Sequence, residues 1–180
     1  MSGGGHPRLE LMYWKRRVLA LYACACAGGA DPAACAAWRT GRDALFAGHP
    51  QSPLTPEDRA AGAAVPWFPH DPAMRSLCPL EPDAGDKVLE LPMSSGPPAR
   101  FTRIGRVRPR VGGVQVALSL YWLEGYGGGL FLPFADAHPE SYGGGRYLLD
   151  TVKGADLGAA PDGRLVIDFN YAYNPSCSHV

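Results

Sequence analysis

The sequence carries no excess of either charge. Its 17 Lys and Arg balance 17 Asp and Glu, for a formal net charge of zero. A nucleic-acid partner calls for a basic stripe or patch, and none is present, so none is expected. Long apolar runs are also missing. The best candidate, Val18 to Ala25 behind Lys15-Arg16-Arg17, is far shorter than the roughly 20 residues that cross a bilayer. It has the length of a signal-peptide apolar core. However, Leu11, Trp14, Val18, Leu21, Tyr22 and Ala25 recur at helical spacing, and an amphipathic helix with no membrane partner is the preferred reading. Metal-binding spacing is absent as well. The five cysteines, Cys24, Cys26, Cys35, Cys78 and Cys177, contain no CxxC pair, and reduced, buried thiols in a cytoplasmic protein are expected. His49, His70, His138 and Asp136 sit in separate loops with no spacing that makes them ligands. No Walker loop occurs. Neither a metal nor another cofactor is expected.

What the chain does have is glycine and proline, 23 and 18 respectively, mostly after Gly48, which predicts turns rather than long helices there. At 46% hydrophobic and 19% charged residues it is globular, and 180 residues suit a single domain, 1–180. The first part, 8–47, reads as a helical hairpin. Gly28-Gly29 breaks it, and Asp31-Pro32 supply an N-cap and a first-turn proline for the second helix. Residues 48–85 read as a proline-rich wrapping loop, with Thr55 capping a short turn and Trp67 and Phe68 pinning the loop to the body. Strands are expected from about Lys87 to Leu91, Arg100 to Arg110, Val114 to Leu123, Gly129 to Phe134, Arg146 to Val152 and Arg164 to Phe169. Gly112-Gly113 is a hairpin turn. The expected fold is therefore α+β and mainly β: an antiparallel barrel or half-open barrel over 86–177 with the N-terminal helical hairpin packed on it.

The most unusual stretch is Leu118 to Cys177. It holds two Tyr-Gly-Gly-Gly turns, at Tyr126 and Tyr142, and ends in Asp168-Phe169-Asn170 and Tyr173-Asn174-Pro175-Ser176-Cys177. Glycine weakens strand interiors and marks bulges or close backbone approaches, so function is sought here first. Tyr142 to Tyr147 reads either as an anion clamp, with backbone N–H groups beside Arg146, or as a glycine bulge with Arg146 paired to Asp136 or Asp168. Asp168 and Asn170 share a strand face by the period of two and could form a polar pocket floor with Arg146 and Tyr142. The competing reading is a buried hydrogen-bond network, which is favoured for Asn174. Cys177 with His179 two residues on is a weaker nucleophile candidate.

Several segments together resemble the bacterial domain-of-unknown-function family number 1684. These are WKRRVLALY, RDALFAGHPQSPL, WFPHDPAMR, LYWLEGYGGGLFLPFADA, SYGGGRYLLDTVKGADLG and LVIDFNYAYNPSC, which extend from about Trp14 to Cys177. The resemblance implies little about activity. It also implies a tail beyond Cys177 with a second cysteine, a proline-rich segment and a final strand, where this chain stops at Val180. A site needing that tail would be altered here.

The expectation is a pocket at one mouth of the barrel. Asp168, Tyr142 and Arg146 are its catalytic candidates. Trp67, Phe68, Tyr121, Trp122, Tyr126, Tyr147, Asn170, Tyr173, Asn174 and Cys177 are its substrate-binding candidates. The expected function is cofactor-independent acid/base chemistry on an anionic or carboxylated metabolite, with a place in secondary metabolism. The alternative is a non-catalytic module that binds a small ligand. The homodimer is the oligomer considered.

Overall fold

The computed structural model describes residues 5–62, 65–82, 87–92, 96–135 and 137–179, without the side chains of Cys177 and His179. Helix α1 (Pro7–Gly28) starts behind His6, whose Nδ1 accepts from the Arg8 N–H at 3.3 Å. Helix α2 (Pro32–Gly48) starts as its sequence prescribes: Asp31 Oδ1 accepts from the Ala33 N–H at 2.8 Å, with Pro32 in the first turn. Thr55 likewise caps α3 (Pro56–Ala60), accepting from the Asp58 N–H at 3.1 Å. No described helix is long and apolar enough to cross a membrane.

The β part consists of β1 (Arg75–Cys78), β2 (Glu81–Pro82), β3 (Val88–Leu91), β4 (Ala99–Val107), β5 (Arg110–Val111), β6 (Val114–Gln115), β7 (Leu118–Leu123), β8 (Leu130–Phe134), β9 (Arg146–Asp150) and β10 (Leu165–Asp168). The main sheet runs β2-β4-β7-β8-β9, with β3 also on β4, and every pairing is antiparallel. No ladder among the described residues closes this path into a ring. Gly112 and Gly113 take φ of 57° and 82° in the β5–β6 turn, a conformation that suits glycine. On β4 the period of two is plain: Phe101, Arg103, Gly105 and Val107 face inward and alternate with more open positions.

Three differences from the sequence reading have local causes. The wrapping loop contains two strands, β1 paired with β10 and β2 paired with β4. In β1 only Cys78 is buried, so the strand has no alternating apolar signal and depends on its partner. The strand expected over 100–110 stops at Val107, and the one expected over 114–123 divides into β6 and β7. Finally, β4 shifts register between Arg103 and Gly105. There β2 comes so close that a Cβ on Gly105 would lie 2.3 Å from the Glu81 carbonyl oxygen.

Two cores result. Val18, Tyr22 and Ala25 of α1 and Cys35, Trp38 and Leu45 of α2 pack on Leu157, Val166, Tyr171 and Tyr173, fixing the hairpin to the β part. Val107, Leu120, Leu132, Leu149 and Ile167 fill the second core, inside the sheets.

Candidate functional site

Three tethers hold the segment 65–74 across the body as a strap. Arg39 of α2 donates from Nη1 to the Phe68 carbonyl at 2.8 Å and from Nη2 to the Asn170 carbonyl at 3.1 Å. The Trp67 indole N–H donates to the Asp43 carboxylate at 3.1 Å. Asn170 closes a two-way pair with Asp71: its Nδ2 donates to the Asp71 carbonyl at 2.8 Å, and its Oδ1 accepts the Asp71 N–H at 2.9 Å. Pro66 and Pro69 keep that part of the strap from folding into a helix or a central strand, so side-chain donors take up its backbone carbonyls instead, and Pro72 opens a short 3-10 turn over Pro72–Met74.

Beneath the strap lies a cleft of about 890 Å³. Trp67, Phe68 and Met74 of the strap face Val111, Val116 and Leu118 of the β5–β7 region across it. Phe134 and Phe169 add to its apolar lining. They pack edge-to-face with ring centroids 5.2 Å apart. The loop after β8 brings His138, Glu140 and Ser141, and the C-terminal segment brings Asn170, Tyr173 and Asn174.

Arg146 opens β9 in the cleft wall. Its guanidinium carbon stands 5.3 Å from the Phe68 ring centroid and 5.0 Å from that of Phe134, sandwiched between two aromatic faces. The residue before it must be small: Gly145 has φ 90°, and a Cβ there would lie 2.9 Å from the Phe134 carbonyl oxygen. The glycine turn therefore sets the arginine's approach by close backbone contact. The His138 ring lies against Phe68 with centroids 4.7 Å apart.

Asp168 stands outside the cleft lining. Its Oδ2 accepts from Arg75 Nη1 at 3.1 Å, and its Oδ1 accepts from both the Asn170 N–H at 3.0 Å and Asn170 Nδ2 at 2.8 Å. It joins Asn170 through a 3-10 turn over Phe169–Tyr171 rather than along one strand face. The carboxylate braces the two-stranded β1–β10 sheet and orients Asn170, which in turn holds the strap.

Of the residues singled out in the sequence, Trp67, Phe68, Arg146, Asn170, Tyr173 and Asn174 line the cleft together. Tyr121, Trp122 and Tyr126 do not: Tyr126 is fully exposed and Trp122 lies over Gly128. Tyr142 packs on Gly144 and Tyr147 between Phe131 and Tyr173, both off the cleft lining. The side chain of Cys177 and the whole of Asp136 lie outside the described residues. Sequence reasoning missed Arg39, Asp71, Met74 and Glu140, and weighed His138 only as a metal ligand. For Arg39 a signal existed. Arg39 and Asp43 stand i, i+4 on α2, and both reach the strap at Trp67 and Phe68.

The phenols near the cleft are poor bases at neutral pH. Burial pushes the Tyr171 hydroxyl up to about 12 and raises that of Tyr173 well above the usual tyrosine value. The cleft-lining groups suited to proton transfer are His138, Glu140 and Asp71. The Asp71 carboxylate already accepts from the Ala73 N–H at 2.8 Å.

A family model described as "Protein of unknown function (DUF1684)" matches residues 62–180. Among solved structures, the chain is similar to the solution NMR structure of an uncharacterized protein from gene locus rrnAC0354 of Haloarcula marismortui. The two are 27% identical, the match covers 78% of this chain and 76% of that one, and the TM-score is 0.55. No curated protein matches the chain in sequence.

Proposed function

The chain belongs to DUF1684, a family of unknown function, and on the chemistry of its cleft we propose that it binds a small, largely apolar molecule bearing a carboxylate or similar anion. The observation that carries this reading is the cleft itself. Its volume of about 890 Å³ falls in the range of small-molecule sites, and aromatic and aliphatic side chains surround a few polar groups: the guanidiniums of Arg39 and Arg146, the amides of Asn170 and Asn174, and the side chains of Asp71, His138 and Glu140. Arg39 is engaged with the strap, which leaves Arg146 as the anchor for an anion. An arginine has five N–H donors, so Arg146 can serve an internal partner and a ligand anion together. The rings of Trp67 and Phe68 cover the ligand's apolar body. The free thiols of Cys24, Cys26, Cys35 and Cys78 support a reducing, cytoplasmic setting.

The tethering of Asp168 to Arg75 and Asn170 favours the binding reading over acid/base chemistry at that residue. A turnover reading survives through His138 and Glu140, which line the same cleft. Native mass spectrometry of the protein as purified from its own host tests the binding reading. The expected result is an added organic mass that denaturation releases and that the Arg146→Gln variant fails to retain. A bare protein that also takes up no member of a panel of organic acids would overturn the reading.

A further inference from the structure

Behind the cleft wall, where the helical hairpin meets the β part, four buried polar groups lack hydrogen-bond partners among the described residues. They are the Arg42 Nε–H, the Trp38 indole N–H, and the hydroxyls of Tyr22 and Tyr173. The four residues are 7%, 2%, 2% and 8% exposed, so bulk water does not satisfy them. They form one cluster. The Arg42 guanidinium carbon lies 4.6 Å from the Tyr173 ring centroid and 5.6 Å from that of Trp38, while Tyr22 meets Trp38 edge-on with centroids 5.4 Å apart.

The chemistry of this cluster is one-sided. A guanidinium and an indole can only donate. The two phenols can also accept, but burial raises both hydroxyls well above the usual tyrosine range, so they keep their protons and remain donors. The nearby carboxylates are engaged elsewhere. Asp43 accepts from Trp67, and Asp150 pairs with Lys153 at 3.0 Å. Among the described residues no ion pair is formed by Arg42, although the residue is 7% exposed and its Nε is fully buried beside aromatic rings. Cation–π contact with Tyr173, Trp38 and Phe46 offsets part of the cost of burying the charge. A ring face is at most a weak acceptor for N–H groups, so these contacts do not replace a hydrogen bond.

We propose that Arg42, Trp38, Tyr22 and Tyr173 form a second site, which shares Tyr173 with the cleft wall and takes a small monovalent anion: a halide or the carboxylate of a small acid. Such an anion supplies an acceptor to these donors and a negative charge in direct contact with Arg42. Because the site lies between α1, α2 and the C-terminal segment, its occupation ties the helical hairpin to the wall of the cleft through Tyr173.

The test combines crystals and solution. In crystals soaked in bromide, an anomalous peak is expected within hydrogen-bonding distance of the Arg42 guanidinium and of at least one of the two phenol oxygens. In solution, thermal unfolding is followed at constant ionic strength while a bulky sulfonate buffer anion is replaced by chloride, or in a parallel arm by acetate. The melting temperature is expected to rise with the logarithm of the bound anion's concentration. Success of the chloride arm assigns a halide, and success of the acetate arm a carboxylate. Tyr22→Phe removes one hydroxyl from a residue that does not line the cleft, and should weaken the effect roughly tenfold or more. Arg42→Gln should abolish it; should that variant fail to fold, Tyr22→Phe alone decides. No anomalous peak with neither anion stabilising the protein overturns the proposal. So does a peak without any change in melting temperature, which is binding at crystal concentration only.

Discussion

Replacing Asp168 with Asn should destabilise the fold, and the size of the loss can be worked from its contacts. The carboxylate is buried and accepts three hydrogen bonds, one from Arg75 and two from Asn170. An asparagine can keep its oxygen toward Asn170, but its amide then points donors at the donors of Arg75. One charge-assisted bond is lost, worth about 1.5–3 kcal/mol. Breaking a fully buried ion pair costs about 3–5 kcal/mol. The Arg75 side chain is 22% exposed and regains some water, so the lower range applies. A loss of about 2–3 kcal/mol corresponds to a melting temperature about 4–12 °C lower for a chain of this size. Urea unfolding of the two proteins measures it directly. A variant as stable as the parent, within about 0.5 kcal/mol, would refute the bracing role and return Asp168 to the list of proton-transfer candidates.

Other substitutions probe the elements that shape the cleft. Gly105→Ala puts a methyl group against the Glu81 carbonyl and the Leu80 side chain. It should cost about 1–3 kcal/mol by forcing β2 away from β4, read by denaturant unfolding. Arg39→Ala leaves the carbonyls of Phe68 and Asn170 without their donor, and should make the strap over 65–74 a preferred site of limited proteolysis while Arg39→Lys restores part of the protection. Thiol labelling should separate the cysteines. Cys24 is exposed and should react fastest, whereas burial raises the Cys35 and Cys78 thiols and should keep both slow at pH 8 until denaturant is added; site mapping by mass spectrometry reads the order.

What the sequence made legible was local. Asp31, Thr55 and the Gly112-Gly113 pair each act on residues two or three positions away, so their roles as caps and turn could be read directly. The glycine turn before Arg146 and the aromatic strap were also visible as unusual composition. The partners were not. Arg75 lies 93 residues from Asp168, and Arg39 lies 131 from Asn170; no periodicity links such positions. Tyr121, Trp122 and Tyr126 looked like pocket walls because aromatic residues on strands carry the same signal whether they face a cleft, a neighbouring ring or solvent. Register decides among these. Tyr121 stands opposite Phe131 and Trp122 opposite Leu130 on the next strand, and neither is directed into the cleft lining. β1 escaped notice because proline density hid a four-residue strand whose order comes from β10.

The cleft as a binding site for an anionic, mainly apolar molecule is best tested by following the Trp67 indole N–H and the Asn174 side-chain amide in two-dimensional NMR. The titrants are matched pairs of aromatic and aliphatic carboxylates and their neutral amides. Saturable shifts of both signals with the acids are predicted, at least tenfold weaker with the amides and lost in Arg146→Gln. Shifts equal for acids and amides, or shifts confined to residues outside the cleft, would contradict the account.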